Sequence, residues 1–173
     1  MAYFPLFVSL EGKEMLVVGG GTIATRRVKA LLDFGCNICV VSPEVSEEMK
    51  DMIKNGSVKW ICDSFENLEQ ISMNAAQPFF VLAAANSEVN QKVVEECRKA
   101  GILVNDASRK ENCDFYFPGL VKDGDVVVGI TAGGKDHKLA SAITSEIRSV
   151  MQKSETKKPV RLKPQTYQNK EDL

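Results

Sequence analysis

The chain has 173 residues, of which 44% are hydrophobic and 26% charged, and its formal net charge is −1. A chain of this length and composition can bury one ordinary hydrophobic core without disulfides or metal ions. Because the composition carries no basic excess, it gives no reason to expect a nucleic-acid partner or a strongly charged steering surface.

From residue 14 to residue 105 the predicted elements alternate between strand and helix. Apolar runs without polar alternation predict buried strands, at 14–18, 37–42, 58–62, 79–85 and 102–105. Apolar residues at helical spacing predict helices, one from residue 23 that Gly35 ends, one at 46–55 capped by Ser46, and one at 87–99. This alternation predicts an α/β fold with a Rossmann-like parallel sheet.

After residue 112 the pattern changes. The segments 115–121 and 125–131 predict a hairpin, and a helix is predicted from about Leu139 to Gln152. From residue 154 the apolar residues thin out, which is typical of a disordered tail. We therefore predict a Rossmann-like domain at 1–112, a small α+β region at 113–153 and a tail at 154–173.

Five cysteines occur at irregular spacing, and His137 is the one histidine. Cys36 and Cys39 have the spacing of metal ligands, but positions three apart on a strand face opposite sides. We expect buried free thiols, no metal site and a reducing compartment. No apolar stretch is long enough for a bilayer, and Met1–Leu10 lacks a basic region, so we expect no membrane partner and a cytoplasmic location.

The segment Gly19-Gly20-Gly21-Thr22-Ile23-Ala24 fits the pattern G-x-G-x-x-G/A between the first strand and the first helix. In this pattern Gly19 allows the tight turn, Gly21 lets the backbone approach a diphosphate, and Ala24 permits close packing. The N–H groups at the start of the helix then face the phosphates. Dinucleotide binding is therefore predicted, with a purely structural turn as the alternative.

An acidic residue usually follows the second strand of such a fold and binds a ribose hydroxyl. Here Val41, Ser42 and Pro43 stand at the strand end, so Glu44 is the nearest candidate, and a solvated loop carboxylate is the alternative. Arg26 and Arg27 could favour a 2′-phosphate, but we expect them to be surface charges of the helix. The glycine turn alone does not choose between NAD and NADP.

Further motifs accompany the glycine turn in a fixed order. They are Tyr3-Phe4-Pro5-Leu6-Phe7, Leu10-Glu11-Gly12-Lys13, Ala83-Ala84-Ala85-Asn86, Val104-Asn105, Cys113-Asp114-Phe115-Tyr116-Phe117-Pro118 and Gly133-Gly134-Lys135. Together they resemble the precorrin-2 dehydrogenase family, which includes the N-terminal module of siroheme synthases, over residues 3–150. The resemblance implies NAD-dependent oxidation of precorrin-2 to sirohydrochlorin, in siroheme or cobalamin biosynthesis, and a homodimer formed by the region from about Phe115.

The resemblance also implies which residues contact the cofactor. The set is Gly19, Gly21, Thr22, Ile23, Pro43, Glu44, Ala84 and Ala85. Because some relatives also insert iron into sirohydrochlorin, a metal chelatase is one alternative. A nucleotide-binding module without catalysis is the other.

Two departures from the family pattern lead to three candidate catalytic residues. Many relatives carry an aspartate three residues after the counterpart of Asn105, where this chain has Ser108. The neighbouring Asp106 could serve as a general base or hold a metal, or it could cap the following turn. Relatives often have serine and proline where this chain has Asp136 and His137. His137 could carry a proton, or it could be a surface residue.

Overall fold

The computed structural model of the protein describes residues 4–69, 71 and 77–154. Within it the chain divides into two compact units, the first ending at Pro118 and the second beginning at Gly119. The division falls after Pro118 rather than after residue 112, because Asp114 and Phe115 are hydrogen-bonded to the edge of the first unit's sheet. Tyr3 and the predicted tail beyond Ser154 lie outside the described residues.

The first unit is built on a five-stranded parallel sheet. Its strands are β1 (Glu14–Val18), β2 (Asn37–Val41), β3 (Lys59–Ile61), β4 (Phe80–Ala83) and β5 (Leu103–Asp106), in the order β3-β2-β1-β4-β5. The predicted α/β Rossmann-like fold is confirmed. From β1 the chain adds strands first on one side, β2 and β3, and then on the other, β4 and β5. Folds of this kind bind ligands at the carboxyl ends of the two strands between which the order switches, here β1 and β4.

Helices cover both faces of this sheet. They are α1 (Thr22–Leu32), α2 (Glu47–Lys54) and α3 (Ser87–Ala100). Alternate residues of β1 enter different cores: Met15 and Val17 pack with α1 and α2, whereas Leu16 and Val18 pack with α3. Since both faces are buried, the strands are apolar throughout, which is the pattern that the sequence shows.

The helix ends follow the predicted signals with one exception. Ser46 Oγ accepts a hydrogen bond of 3.2 Å from the backbone N–H of Met49, so the predicted cap of α2 is confirmed. Gly35 was predicted to end α1 directly. Instead the helix ends at Leu32 with Asp33 as its C-cap, and Gly35, at φ 68°, lies in the turn that follows.

The second unit consists of an antiparallel hairpin and one helix. The strands are β6 (Gly119–Asp123) and β7 (Val126–Ile130), and the helix is α4 (His137–Ser154). The first hairpin strand begins at Gly119 and not at residue 115, because Phe115 packs against Phe80 of the first core, with ring centroids 4.8 Å apart. α4 begins before Leu139 because Asp136 caps it, accepting 2.8 Å from the Leu139 N–H. Among the described residues, no helix has the length and apolar character needed to cross a bilayer.

Candidate functional site

The glycine turn lies where β1, β2 and β4 end. Gly19 donates a hydrogen bond of 2.9 Å to the carbonyl of Val41, the last residue of β2. Its φ is 112°, and a Cβ at this position would overlap the carbonyl oxygen of Ala84. Glycine is therefore required here both by the backbone conformation and by the close approach of the loop after β4.

Gly20, which occupies a variable position of the motif, is also required by packing. A Cβ on Gly20 would overlap the carbonyl oxygen of Glu44, and its own carbonyl accepts 2.9 Å from the Ser46 N–H. The sequence analysis missed this role. Three consecutive glycines were the available signal, but the loop that approaches Gly20 is more than twenty residues away in the chain.

Gly21 leaves the start of α1 open. It is the N-cap residue, it carries no side-chain cap, and a Cβ on it would meet nothing within 4 Å. α2 and α3, by contrast, have capping side chains and acidic residues in their first turns, whereas α1 has none. The N–H groups and the positive dipole end of α1 are thus available to an anion, and Thr22 and Ile23 beside them are exposed.

The side chain of Thr25 holds the end of the glycine turn in place through two hydrogen bonds. Its buried hydroxyl donates 2.9 Å to the carbonyl of Gly21 and shares a hydrogen bond of 2.8 Å with Ser46 Oγ. The carbonyl of Gly21, which also accepts 3.0 Å from the Thr25 N–H, is therefore fixed at the start of the helix. A threonine one helical turn after the last glycine carries no sequence signal for this role.

The loop after β2 carries Pro43 and Glu44, which are both exposed. Ser42 Oγ donates 2.6 Å to the Glu44 carbonyl, and Trp60 Nε1 donates 2.9 Å to the Ser42 carbonyl, so the loop backbone is fixed. Glu44 forms no ion pair with any described residue. Its carboxylate is therefore free to accept hydrogen bonds from a ribose.

Arg27 does not lie at this loop, and the prediction that it is a surface charge is wrong. Its half-buried guanidinium donates 2.6 Å to Asn105 Oδ1 on β5 and lies 5.6 Å from the centre of the Phe117 ring. Burial lowers the pKa of Arg27, although arginine stays charged at any physiological pH. Arg27 thus ties α1 to β5 and is not placed to bind a 2′-phosphate after β2.

On the other side of the glycine turn, the loop after β4 presents Ala84 and Ala85, both half-buried. The Ala84 N–H donates 2.8 Å to the Val18 carbonyl, and the Ala85 N–H donates 2.9 Å to Asn90 Oδ1. The backbone of this loop is therefore hydrogen-bonded to β1 and to α3. Sequence reasoning missed Asn90, which lies on the buried face of α3 among valines.

The candidate catalytic residues Asp106 and Ser108 form one hydrogen-bonded loop. Asp106 is buried, and its carboxylate accepts hydrogen bonds from the N–H and hydroxyl of Ser108, at 2.8 and 2.6 Å, and from Asn112 Nδ2 at 2.8 Å. Burial alone would raise the pKa of Asp106, but these hydrogen bonds outweigh it and leave the pKa below the ordinary value of 3.8. This geometry favours the turn-capping alternative for Asp106.

His137 is placed in the second unit, where it is the exposed first residue of α4. Over residues 4–69, 71 and 77–154, no three His, Cys, Asp or Glu side chains come together as a group that could hold a metal ion. Cys36 and Cys39 enter different cores, on opposite faces of the sheet, as their spacing on a strand predicts.

The sheet order, the glycine turn and the open start of α1 define a dinucleotide-binding protein of the Rossmann type. The family model described as "Putative NAD(P)-binding" matches residues 6–119. The chain belongs to this family, and a nicotinamide dinucleotide is its cofactor.

Several known proteins similar to the chain are named for siroheme biosynthesis. A multifunctional siroheme biosynthesis protein, HemA, of Ruminiclostridium josui is 38% identical over 86% of this chain and 28% of its own length. A siroheme synthase of Photorhabdus laumondii is 34% identical over 89% of this chain and 32% of its own length. The chain thus spans about a third of these relatives. The solved structure of SirC, a precorrin-2 dehydrogenase, matches with a TM-score of 0.70 and 28% identity, over 88% of this chain and 76% of that one.

Proposed function

We propose that the chain is an NAD-dependent dehydrogenase that oxidises precorrin-2 to sirohydrochlorin. The observation that carries the proposal is the uncapped start of α1 after the glycine turn, in a chain similar to SirC and to the siroheme synthases. The bound NAD⁺ supplies the hydride acceptor. The protein's part is to hold the dinucleotide and orient it, because the redox chemistry belongs to the cofactor.

The residues that bind the dinucleotide then form three groups at the carboxyl ends of the strands, one for each part of the cofactor. The N–H groups around Gly21, Thr22 and Ile23 hold the diphosphate, and Glu44 accepts hydrogen bonds from the adenosine ribose. Ala84 and Ala85, on the opposite side of the turn, line the nicotinamide half. The strand order supports this division, since β2 and β4 flank β1 on opposite sides.

NAD is favoured over NADP by the charges after β2. Residues 42–49 contain Glu44, Glu47 and Glu48 and no lysine or arginine. Glu47 and Glu48 pair with Lys50 and Lys29, whereas Glu44 forms no ion pair with a described residue, although Lys50 attracts it at longer range. A 2′-phosphate placed here would meet the Glu44 carboxylate, and the two negative charges would repel each other.

Oxidation of precorrin-2 releases a proton as well as a hydride, and we propose that Asp106 does not take it. A carboxylate with a lowered pKa that is saturated with hydrogen bonds is a weak base. The Ser108 hydroxyl donates a hydrogen bond to Asp106 and is not free to activate a substrate group. We therefore propose that water or a carboxylate of the substrate accepts the proton.

The test is turnover of precorrin-2 with NAD⁺ or NADP⁺, followed by the absorbance of the reduced cofactor. We expect reduction with NAD⁺, much slower reduction with NADP⁺, and none with the Gly21→Asp variant, whose carboxylate enters the diphosphate position. Folded protein that reduces neither cofactor would remove the proposed activity. Faster turnover with NADP⁺ would remove the role given to Glu44.

We also propose that the chain forms a homodimer through its second unit. Of the described residues of that unit, only Val121 and Thr144 are buried, whereas several large apolar side chains are exposed. The most exposed are Val126 at 56%, Leu139 at 51% and Val150 at 67%. A two-stranded hairpin with one helix has little core of its own, which supports a partner copy covering these side chains.

The free state of the cysteine thiols supports a location in the cytoplasm. All five cysteines are free, and Cys36, Cys39 and Cys97 are buried, while Cys62 is exposed. Burial raises the pKa of Cys97 to about 12, so this thiol stays protonated and unreactive. Free thiols are typical of a reducing compartment, and on this ground we propose the cytoplasm.

A further inference from the structure

Asn90 is a fully buried carboxamide that none of the roles described so far uses. It lies on α3, and its two polar atoms point to the ends of two neighbouring strands. Oδ1 accepts 2.9 Å from the Ala85 N–H after β4, and Nδ2 donates to Asp106 Oδ1 at the end of β5 and to Ser108 Oγ, at 3.2 Å each. Its orientation is unambiguous, because only oxygen can face the N–H group and only the NH₂ group can face the carboxylate.

The carboxylate that holds Asn90 is itself immobilised. The same Asp106 Oδ1 accepts hydrogen bonds from the backbone and hydroxyl of Ser108 and from the Arg109 N–H, while Oδ2 accepts 2.8 Å from Asn112 Nδ2. Asn90 is therefore linked to a fixed point in the loop after β5. Because a buried amide that loses a partner carries a desolvation cost, this link resists displacement of Ala85.

The position of Ala84 and Ala85 matters to the glycine turn. The Ala84 carbonyl lies so close to Gly19 that no Cβ fits between them, so a shift of this loop alters the space beside the turn. In the strand order, this loop lies on the opposite side of β1 from Pro43 and Glu44. A dinucleotide with its diphosphate on the turn and its adenosine toward β2 must extend its second nucleoside along this loop.

We propose that Asn90 is a positioning residue for the nicotinamide half of the cofactor: it anchors the Ala84–Ala85 backbone to Asp106 and so shapes that half of the binding site. The proposal rests on the dinucleotide placement of the proposed function. It adds a residue that touches neither cofactor nor substrate, and it gives the Asp106 loop a role in cofactor binding rather than in proton transfer.

The test compares NAD⁺ with ADP, which fills the adenosine and diphosphate positions alone. In the full chain, Asn90→Ala should raise the Kd for NAD⁺ about tenfold, the value of one hydrogen bond, and leave the Kd for ADP unchanged. Asn90→Ser keeps a polar group at this position without burying a charge, but its short hydroxyl cannot reach Ala85 and Asp106 together. It should raise the Kd for NAD⁺ in the same selective way, and it covers the case in which Asn90→Ala does not fold.

Cys97→Ala is the matched control, since it truncates a fully buried side chain two turns further along α3 and removes no hydrogen bond of the Asn90–Asp106 link. It should lower the melting temperature and leave both Kd values unchanged. Equal effects of the Asn90 variants on NAD⁺ and ADP, or a loss of NAD⁺ affinity in Cys97→Ala as large as in Asn90→Ala, would overturn the proposal. A wild-type chain that binds NAD⁺ without oxidising precorrin-2 would remove the dehydrogenase function and leave this inference standing.

Discussion

At the scale of single residues, the three glycines after β1 differ in what they exclude. Gly19 excludes a side chain because of its positive φ and the Ala84 carbonyl, and Gly20 because of the Glu44 carbonyl. Gly21 has free space around it, so its lack of a side chain leaves room for a ligand at the start of α1. The motif predicted the first and third of these roles from sequence. It could not predict the second, because the contact to Glu44 depends on how the loop after β2 folds back.

These differences predict that substitutions of Gly20 and Gly21 have opposite effects on the melting temperature. Gly20→Ala forces the Glu44 loop to move and should cost about 2 kcal/mol of stability, which lowers Tm by about 4–8 °C for a chain of this size. Gly21→Asp meets no neighbour and can cap α1, so its Tm should equal or exceed that of the wild type, while NAD⁺ binding is lost. Thermal melting and calorimetric titration measure both. A Gly21→Asp protein that melts early but still binds NAD⁺ would contradict the assignment.

At the scale of elements, the strands and helices of the sheet were predictable because apolar runs buried on both faces leave a clear pattern. The start of the first hairpin strand was not, since the strand was predicted over 115–121 and begins only at Gly119. Phe115 and Phe117 pack against the core of the first unit, and the backbone N–H of Asp114 is hydrogen-bonded to Val104 of β5. Likewise, the partners of Asp106 come from α3 and from the following loop, so sequence spacing alone left its role open.

The Asp106 loop predicts a specific dependence of stability on pH. Its pKa is lowered in the folded state, so the carboxylate stabilises the fold above the ordinary value of 3.8, and this contribution is lost as pH falls toward the folded-state pKa. Asp106→Asn should cost about 2 kcal/mol at pH 7 because one charged acceptor of several hydrogen bonds is removed. Urea unfolding at a series of pH values should show this difference constant above pH 5 and shrinking below pH 4. A difference that instead grew on acidification would mean that Asp106 is protonated in the folded protein.

At the scale of the whole molecule, the two units differ in how much core they contain. The first buries both faces of a five-stranded sheet, with two separate clusters of apolar side chains. The second consists of a hairpin and one helix, and several of its large apolar residues are exposed in the single chain. Sequence reasoning could predict the two kinds of unit, because their strand patterns differ. It could not locate the division within a few residues, because residues 113–118 fold onto the first unit.

This difference predicts that assembly and cofactor binding can be separated. A chain truncated after Pro118 should unfold cooperatively, bind NAD⁺ nearly as well as the full chain and sediment as a monomer, because the glycine turn and both flanking loops lie in the first unit. The full chain should sediment as a dimer. In the full chain, the double variant Leu139→Glu/Val150→Glu should abolish the dimer, whereas Lys138→Glu, which alters the charge of an exposed residue on the same helix, should not. A monomeric full chain would remove the proposed interface, and a truncated chain that folds but no longer binds NAD⁺ would show that the cofactor site needs residues beyond Pro118.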